Sequence, residues 1–451
     1  MLTSIALTAA LLSAQHPPAP APSAQPVEPG SAGTAAPSAT GPISTPAPTT
    51  APPLAAPSPL EPAKRADAAA PANLIPRAQV RVRGEMIGDR QLGDAPTQFV
   101  ITHRARIGLT ATAGDLVTAV LDVQDVRAWG GERLPEPPVP QDRTVYGVAP
   151  DGLNLHQGYV GVQLPALELR AGRQEIAIAN ERLIGPLDWA QRARAFDAVR
   201  ALSRNTDGFN WTAFFALIGD HDISADIDDV VLAAAAAEFK VLPALRLSPT
   251  LVADADLTIS RLRGTAGARA DGSSGGFNYD GELYGQVTSL AADVTWSGLL
   301  GLRASYGFDT FAHPRFGGVL DVVSGFSTPG TAFGSFDTLF ATNHKFYGFQ
   351  DLFLNLPLHT KNRGLIDAAV VGWFNEGPLS VSSFLHLFLP ASFAGADLPM
   401  YGVEPDFVVS WKPMAQLAIE VGASVFFPLG DGLGRGDRAA PWGYGQVTGS
   451  I

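Results

Sequence analysis

From about residue 77 onward, the chain is built of roughly ten-residue segments in which apolar and polar side chains alternate, joined by connections that run long, short, long, short. Period-2 alternation sends successive side chains to opposite faces of a strand. One apolar face, one polar face and loops that are long at only one end form the pattern of an antiparallel barrel closed within an outer membrane. Hydrocarbon offers no partner to an open sheet edge, so such a sheet has to close on itself. No apolar run beyond Arg77 reaches the roughly twenty residues of a membrane helix. The Ala-rich stretch Val230–Phe239 is short and lies between strand-like neighbours, so it reads as a strand.

Sixteen segments carry the pattern: about 77–88, 99–111, 115–127, 154–163, 166–177, 192–201, 209–218, 229–239, 246–258, 279–297, 300–310, 364–374, 378–388, 403–412, 415–427 and 441–451. The interval 311–363 has room for one further hairpin, which gives eighteen. Both totals satisfy the even count of bacterial single-chain barrels. Short connections then fall at 112–114, 164–165, 202–208, 240–245, 298–299, 375–377 and 413–414, and long ones at 89–98, 128–153, 178–191, 219–228, 259–278, 311–363, 389–402 and 428–440. The expected fold is therefore all-β, a transmembrane antiparallel β-barrel of 16–18 strands in the outer membrane of a Gram-negative cell. A soluble all-β protein with one wet face shares the period, but not the one-sided loop lengths. Trp211, Trp296, Trp373, Trp411, Trp442 and Tyr444 lie near strand ends, where interfacial aromatic girdles are expected.

The segment before the barrel has a different composition. Residues 2–14 are mostly apolar and end in Leu12, Ser13 and Ala14, as a signal peptide spanning 1–14 would. Residues 15–76 are dominated by Pro, Ala, Ser, Thr and Gly, with little to bury, and read as a disordered periplasmic linker reaching toward cell wall or export partners. Zero cysteine excludes disulfides and thiolate metal sites.

In the first segment Val80, Val82, Gly84 and Met86 oppose Arg77, Gln79, Arg81, Arg83 and Glu85; Leu302–Asp309 and Leu417–Val425 alternate in the same way. The polar parity carries Arg81, Arg83, Arg104, Arg106, Arg173, Arg194, Arg200 and Arg303, while Glu85, Asp122, Glu175, Glu282, Asp309, Asp367 and Glu420 supply acids within strands. Parity alone leaves the face of Arg170, Arg173, Glu175 and Asp197 open. A lumen lined by guanidinium groups lowers the barrier for anions and matches carboxylates bidentately. The competing reading is that Arg and Glu pair across the lumen and brace the wall. Of the two largest interruptions, 128–153 is stiffened by Pro135, Pro137, Pro138 and Pro140, and 311–363 contains His344, Lys345, Tyr347 and Asp351. Either interruption could fold inward, and the second could grip a sugar or hold a loop closed.

Catalysis finds little support. There is no His-Glu-x-x-His motif, and Gly272-Ser273-Ser274-Gly275-Gly276 meets the Gly-x-Ser-x-Gly pattern without its strand-to-helix elbow. The eight histidines are scattered, and His221 between Asp220 and Asp222 reads as a solvated loop cluster. No cofactor, metal or nucleic-acid partner is expected.

Two stretches carry a resemblance. Gly172, Arg173, Gln174 and Glu175 precede Asn180, Glu181, Arg182, Leu183, Ile184, Gly185, Pro186, Leu187, Asp188 and Trp189, then Arg194, Phe196, Asp197 and Arg200. Later come Phe336, Asp337, Leu339, Phe340, then Asn343, His344, Lys345, Phe346, Tyr347, Gly348, Phe349, Asp351 and Leu352. With Gly158-Tyr159-Val160, these stretches resemble the alginate export family of outer-membrane barrels. The resemblance implies an eighteen-stranded monomer with an electropositive constriction, passing an anionic polysaccharide such as alginate outward by diffusion. It makes Arg173, Arg182, Arg194 and Arg200 the basic candidates, with Glu175, Glu181 and Asp197 as their partners. The expected passengers are anionic polysaccharide or small organic anions, within a shell of outer-membrane lipid. A general small-solute porin without polymer specificity is the alternative.

Overall fold

The computed structural model describes residues 72–130, 152–204, 208–218, 230–257, 259–291, 293–326, 333–392, 400–430, 432–433 and 435–451. The expected signal peptide, most of the linker, the proline cluster of 128–153 and the His221 cluster lie outside them. Eighteen strands follow: β1 Ala72–Ile87, β2 Gln98–Ala113, β3 Val117–Ala128, β4 Gly152–Gln163, β5 Leu167–Gln174, β6 Phe196–Ser203, β7 Phe209–Leu217, β8 Val230–Leu242 and β9 Leu245–Asp256. The second half comprises β10 Arg261–Ser274, β11 Phe277–Leu290, β12 Asp293–Gly307, β13 Arg315–Val323, β14 Leu365–Glu376, β15 Leu379–Leu389, β16 Gly402–Met414, β17 Leu417–Pro428 and β18 Ala440–Ser450. Every strand pairs antiparallel with its neighbours in the chain, and β1 pairs with β18 from Gln79↔Ser450 to Ile87↔Trp442, which closes the ring.

The alternation decides which face meets lipid. On β2, Phe99, Ile101 and Ile107 are exposed while Thr102 and Arg104 are buried. On β11, Leu283 is exposed between buried Glu282 and Tyr284. This inversion, with charge inside and Leu, Ile and Phe outside, is what a lipid-embedded barrel requires. Residues 230–242 form β8 despite their alanines, pairing with β7 and β9.

Several sequence expectations are corrected. The interval 259–278 holds β10 rather than a long loop, and 311–363 holds the single strand β13 rather than a hairpin. The expected turn at 298–299 lies inside β12; β11 ends at Leu290 and β12 starts at Asp293, and β9 ends at Asp256 and β10 starts at Arg261, so two short connections fall on the long-loop end. Loop alternation is therefore a strong tendency rather than a strict rule. The first strand begins at Ala72, within the expected linker. The strand expected at 192–201 starts at Phe196, so Arg194 belongs to a loop, as does Glu175 beyond the end of β5.

The girdle is also redrawn. Trp296 and Trp411 are exposed, but Trp373, Trp442 and Tyr444 are buried on the lumen side. At the short-turn end the outer belt is made instead by Phe209 against Phe239 and by the run Tyr306, Phe308, Phe316 and Phe374, with ring centroids 4.9–6.4 Å apart. Rings with an apolar body suit the membrane interface.

Depth dependence follows from this arrangement. Leu283→Arg, in the middle of β11, is expected to destabilise the barrel in lipid vesicles by about 2–4 kcal/mol, and Leu262→Arg, beside the 257–260 connection, by about 0–1 kcal/mol. Urea unfolding in vesicles measures both.

Candidate functional site

The lumen is occupied by two loops. Residues 175–195, between β5 and β6, bury Ile176, Leu183, Ile184 and Trp189, and residues 333–364, leading into β14, bury Phe336, Phe346, Tyr347, Leu352 and Phe353. The loops are zipped to each other. Ile184 and Phe340 form a parallel bridge, Gly185 N–H donates to Phe340 O at 2.9 Å, Phe340 N–H to Leu183 O at 2.9 Å, and Thr342 N–H to Glu181 O at 3.0 Å. Gly185 leaves room for this approach, because a Cβ there would lie 2.3 Å from Thr342 Oγ1. Arg194 donates to the carbonyls of Gly185 and Phe340 and covers the Phe340 ring. Burial lowers its pKa to about 10, so it remains a cation at neutral pH.

Other expected residues brace the same assembly. Arg182 donates to Glu282 and to both oxygens of Asp321, reaches Tyr347 Oη at 3.1 Å, and lies 3.7 Å over the Phe346 ring. Burial opposes its charge, but Asp321 and Glu282 outweigh burial and hold its pKa well above the ordinary value. Arg303 joins the same two carboxylates at 3.2 Å each. Lys345 pairs with Glu181 at 2.6 Å. His344 Nδ1 lies 2.6 Å from Asp351, and its ring stacks between Trp189 and Phe349. His344, Lys345 and Tyr347 thus make these contacts to residues of the two loops.

The β1–β2 wall grips the first loop through its backbone. Arg81 Nη1 donates to the carbonyls of Asp188 (2.7 Å) and Trp189 (3.1 Å), Arg104 Nη1 to those of Asp188 (3.0 Å) and Ala190 (3.1 Å), and Arg83 Nη2 to Trp189 (2.7 Å). The Arg83 guanidinium also lies 3.1 Å from the Trp189 ring centre. A single carboxylate, Asp188, sits among Arg81, Arg104 and Arg106 at 2.9–3.1 Å. It lies deep inside the barrel, yet its side chain is 47% accessible to the lumen. Burial opposes its ionisation; Arg104, Arg81 and Arg106 outweigh burial and hold the carboxyl well below the usual carboxylate range. Three guanidinium groups thus converge on Asp188, with Glu85 3.8 Å from Arg83 and Glu175 3.7 Å from Arg106 at the margins.

The remaining expected residues separate. Arg200 faces the lumen and donates to Thr212 Oγ1, and Glu175 meets His156 Nε2 at 2.6 Å. Arg173 and Asp197 pair at 2.7 Å, but they occupy the parity opposite to buried Gln174, Phe196 and Ala198. They form a rim pair facing away from the lumen, which corrects their placement in it. Sequence reasoning located Arg81, Arg83, Arg104 and Arg106 but missed their partner, Asp188-Trp189-Ala190. The signal available was Asp188-Trp189 inside the first resembling stretch. Among the described residues no group of His, Asp and Glu has the arrangement of a metal site.

Comparison with known proteins adds a family and a fold. A family profile described as alginate export matches residues 73–354. No curated protein matches. Solved structures with the same architecture include Pseudomonas aeruginosa OpdK with vanillate (13% identity, 83% of this chain and 98% of that one, TM-score 0.55). Others are P. aeruginosa OccK9, also called OpdG (13%, 84% and 98%, 0.58), and Acinetobacter baumannii OccAB4 (10%, 83% and 98%, 0.59). At these identities the likeness is one of fold. The chain folds as an outer-membrane β-barrel.

Replacing Asp188 with Asn removes the one acid among three arginines and leaves the carbonyl bonds in place. The anion-to-cation permeability ratio in planar bilayers is expected to rise severalfold. Because the Asp188 pKa is depressed on folding, its contribution to loop docking is present above the unfolded value of about 3.9 and is lost only as pH falls through the still lower folded value. Wild-type selectivity should therefore show no Asp188 titration between pH 7 and about pH 4.

Proposed function

The chain belongs to the alginate export family, and we propose that it is a diffusion channel for small organic anions whose carboxylates are handled by Arg81, Arg104 and Arg106. The observation that carries this reading is the convergence of these guanidinium groups on the lumen-accessible carboxylate of Asp188. The Asp188 pairs support this reading, because their charge-assisted geometry is the one a passing carboxylate would use. With Asp188 among them and Glu175 3.7 Å from Arg106, the three arginines keep an excess of positive charge, so a passing carboxylate can exchange with Asp188 without stranding an arginine. Exchange of this kind combines capture with release, and conduction needs both.

The size of the passenger follows from the loops. Residues 175–195 and 333–364 are held inside the barrel by backbone bonds, aromatic stacking and the Arg182–Glu282–Asp321 cluster, an arrangement that favours small solutes over a polymer chain. The vanillate in the OpdK structure is a small aromatic carboxylate, and the shared fold makes that class of passenger a natural one to try.

Planar-bilayer recordings under a KCl gradient test the proposal. Anion-selective current, inhibited by benzoate and by monomeric uronate, is expected, and Arg81→Gln/Arg104→Gln/Arg106→Gln should bring the permeability ratio close to one. Blockade that strengthens steadily with uronate chain length would favour polymer passage instead. Current without anion preference in the wild type would refute the assigned role of the arginines.

A further inference from the structure

A second cationic centre lies away from the Asp188 clamp, among the loops at the long-loop end. Arg90 follows β1 in the connection 88–97 and is only 3% exposed. Its Nε and Nη1 have no hydrogen-bond partner, and no carboxylate pairs with it among the described residues. The neighbouring Asp89 carboxylate is already spent on the backbone N–H groups of Gln91, Gly93 and Ala95. Arg435 adds a second guanidinium, its Nη1 donating to Arg90 O at 3.0 Å.

The surroundings are built rather than incidental. Gly436 N–H donates to Gln91 O at 2.7 Å and Arg438 N–H to Leu92 O at 2.9 Å, which zips the β17–β18 connection to the β1–β2 connection. A Cβ on Gly436 would lie 2.0 Å from Leu92 O, so the two backbones can meet only at glycine. Leu92 beneath them is 1% exposed. His359, also in the field of Arg435 and Arg90, supplies no counter-charge: burial first, then these two arginines, lower its pKa to about 3. Asp351 is engaged with the His344 ring. Asp94 pairs with Arg438 in the exposed rim.

An uncompensated guanidinium out of water is costly, and its two idle donors add to that cost. The comparably buried Arg83 and Arg182 each direct donors to side-chain or carbonyl oxygens. Arg81 and Arg104 each leave one donor idle, but among the described residues Arg90 alone leaves two, and a bound anion removes the anomaly.

We infer that Arg90, with Arg435 beside it, forms an oxyanion-binding site in the long-loop vestibule, separate from the Arg81–Arg104–Arg106 cluster. Its ligand is a small oxyanion, either the carboxylate of an organic acid or a tetrahedral inorganic anion. The idle Nε–H and Nη1–H lie on different edges of the planar guanidinium, and either one can donate to an oxygen of such an anion.

Crystals of the full-length protein grown with sodium selenate test the site directly. A selenium anomalous peak within hydrogen-bond distance of the Arg90 guanidinium is expected, and Arg90→Gln should abolish it while the 88–97 and 435–441 backbones stay superimposable. A parallel soak in 4-bromobenzoate separates the two sources. A bromine peak replacing selenium assigns the site to organic carboxylates, and persistent selenium assigns it to inorganic anions. Absence of both peaks at Arg90 in the wild type, or a peak that survives in Arg90→Gln, overturns the inference. Neither result depends on conductance, so the channel proposal stands or falls separately.

Discussion

The arrangement of the lumen depends on side-chain N–H groups of β1 and β2 reaching backbone carbonyls of Asp188, Trp189 and Ala190. An eighteen-stranded ring encloses more space than its own side chains fill. Here two loops enter that space, and their polar backbones need partners there. Arginine suits the task, since its planar fork spans adjacent carbonyls and keeps its charge when buried. The same bonds leave a cationic surface around a single accessible carboxylate. Structural support and the proposed anion handling thus come from the same residues.

The outside of the barrel answers a simpler demand. Lipid leaves no backbone group to water, so ring closure between β1 and β18 satisfies the last pair of edges. Small residues on the lipid face, such as Gly264, Ala266 and Ala268 of β10, are tolerated because the ladder, rather than side-chain packing, holds each strand in place. The inner face is where chemistry concentrates. Arginines line β1 and β2, while Asp321, Asp367, Glu404, Asp406 and Glu420 are buried along β13 to β17.

Much of this was legible from the residues. Parity put Arg81, Arg83, Arg104 and Arg106 inside because Val80, Val82, Ile101 and Ile107 needed lipid. It passed over β10 because the outward positions are mostly glycine and alanine, too weakly apolar to register, although inward Arg263, Thr265, Arg269 and Asp271 keep the period. It passed over β13 because nine residues within a long interval offer few repeats. Arg173 and Asp197 were misplaced at the strand ends, where local parity is least constrained. What no period can supply is the meeting of Asp188 with β1 and β2, or of Ile184 with Phe340, since these contacts link positions more than 80 residues apart in sequence. The two stretches that resemble the family prove to be the two loops that meet in the lumen.

The most direct test of the clamp uses the absence of native cysteine. Ala190 is 4% exposed beneath Arg104, so Ala190→Cys places a lone thiol at the centre of the grip. A membrane-impermeant maleimide added to the folded protein should leave that thiol essentially unlabelled, and adding Arg104→Gln should speed labelling at least tenfold. Rapid labelling of Ala190→Cys with all four arginines intact would contradict the account, because it would mean that the loop does not rest against the β1–β2 wall.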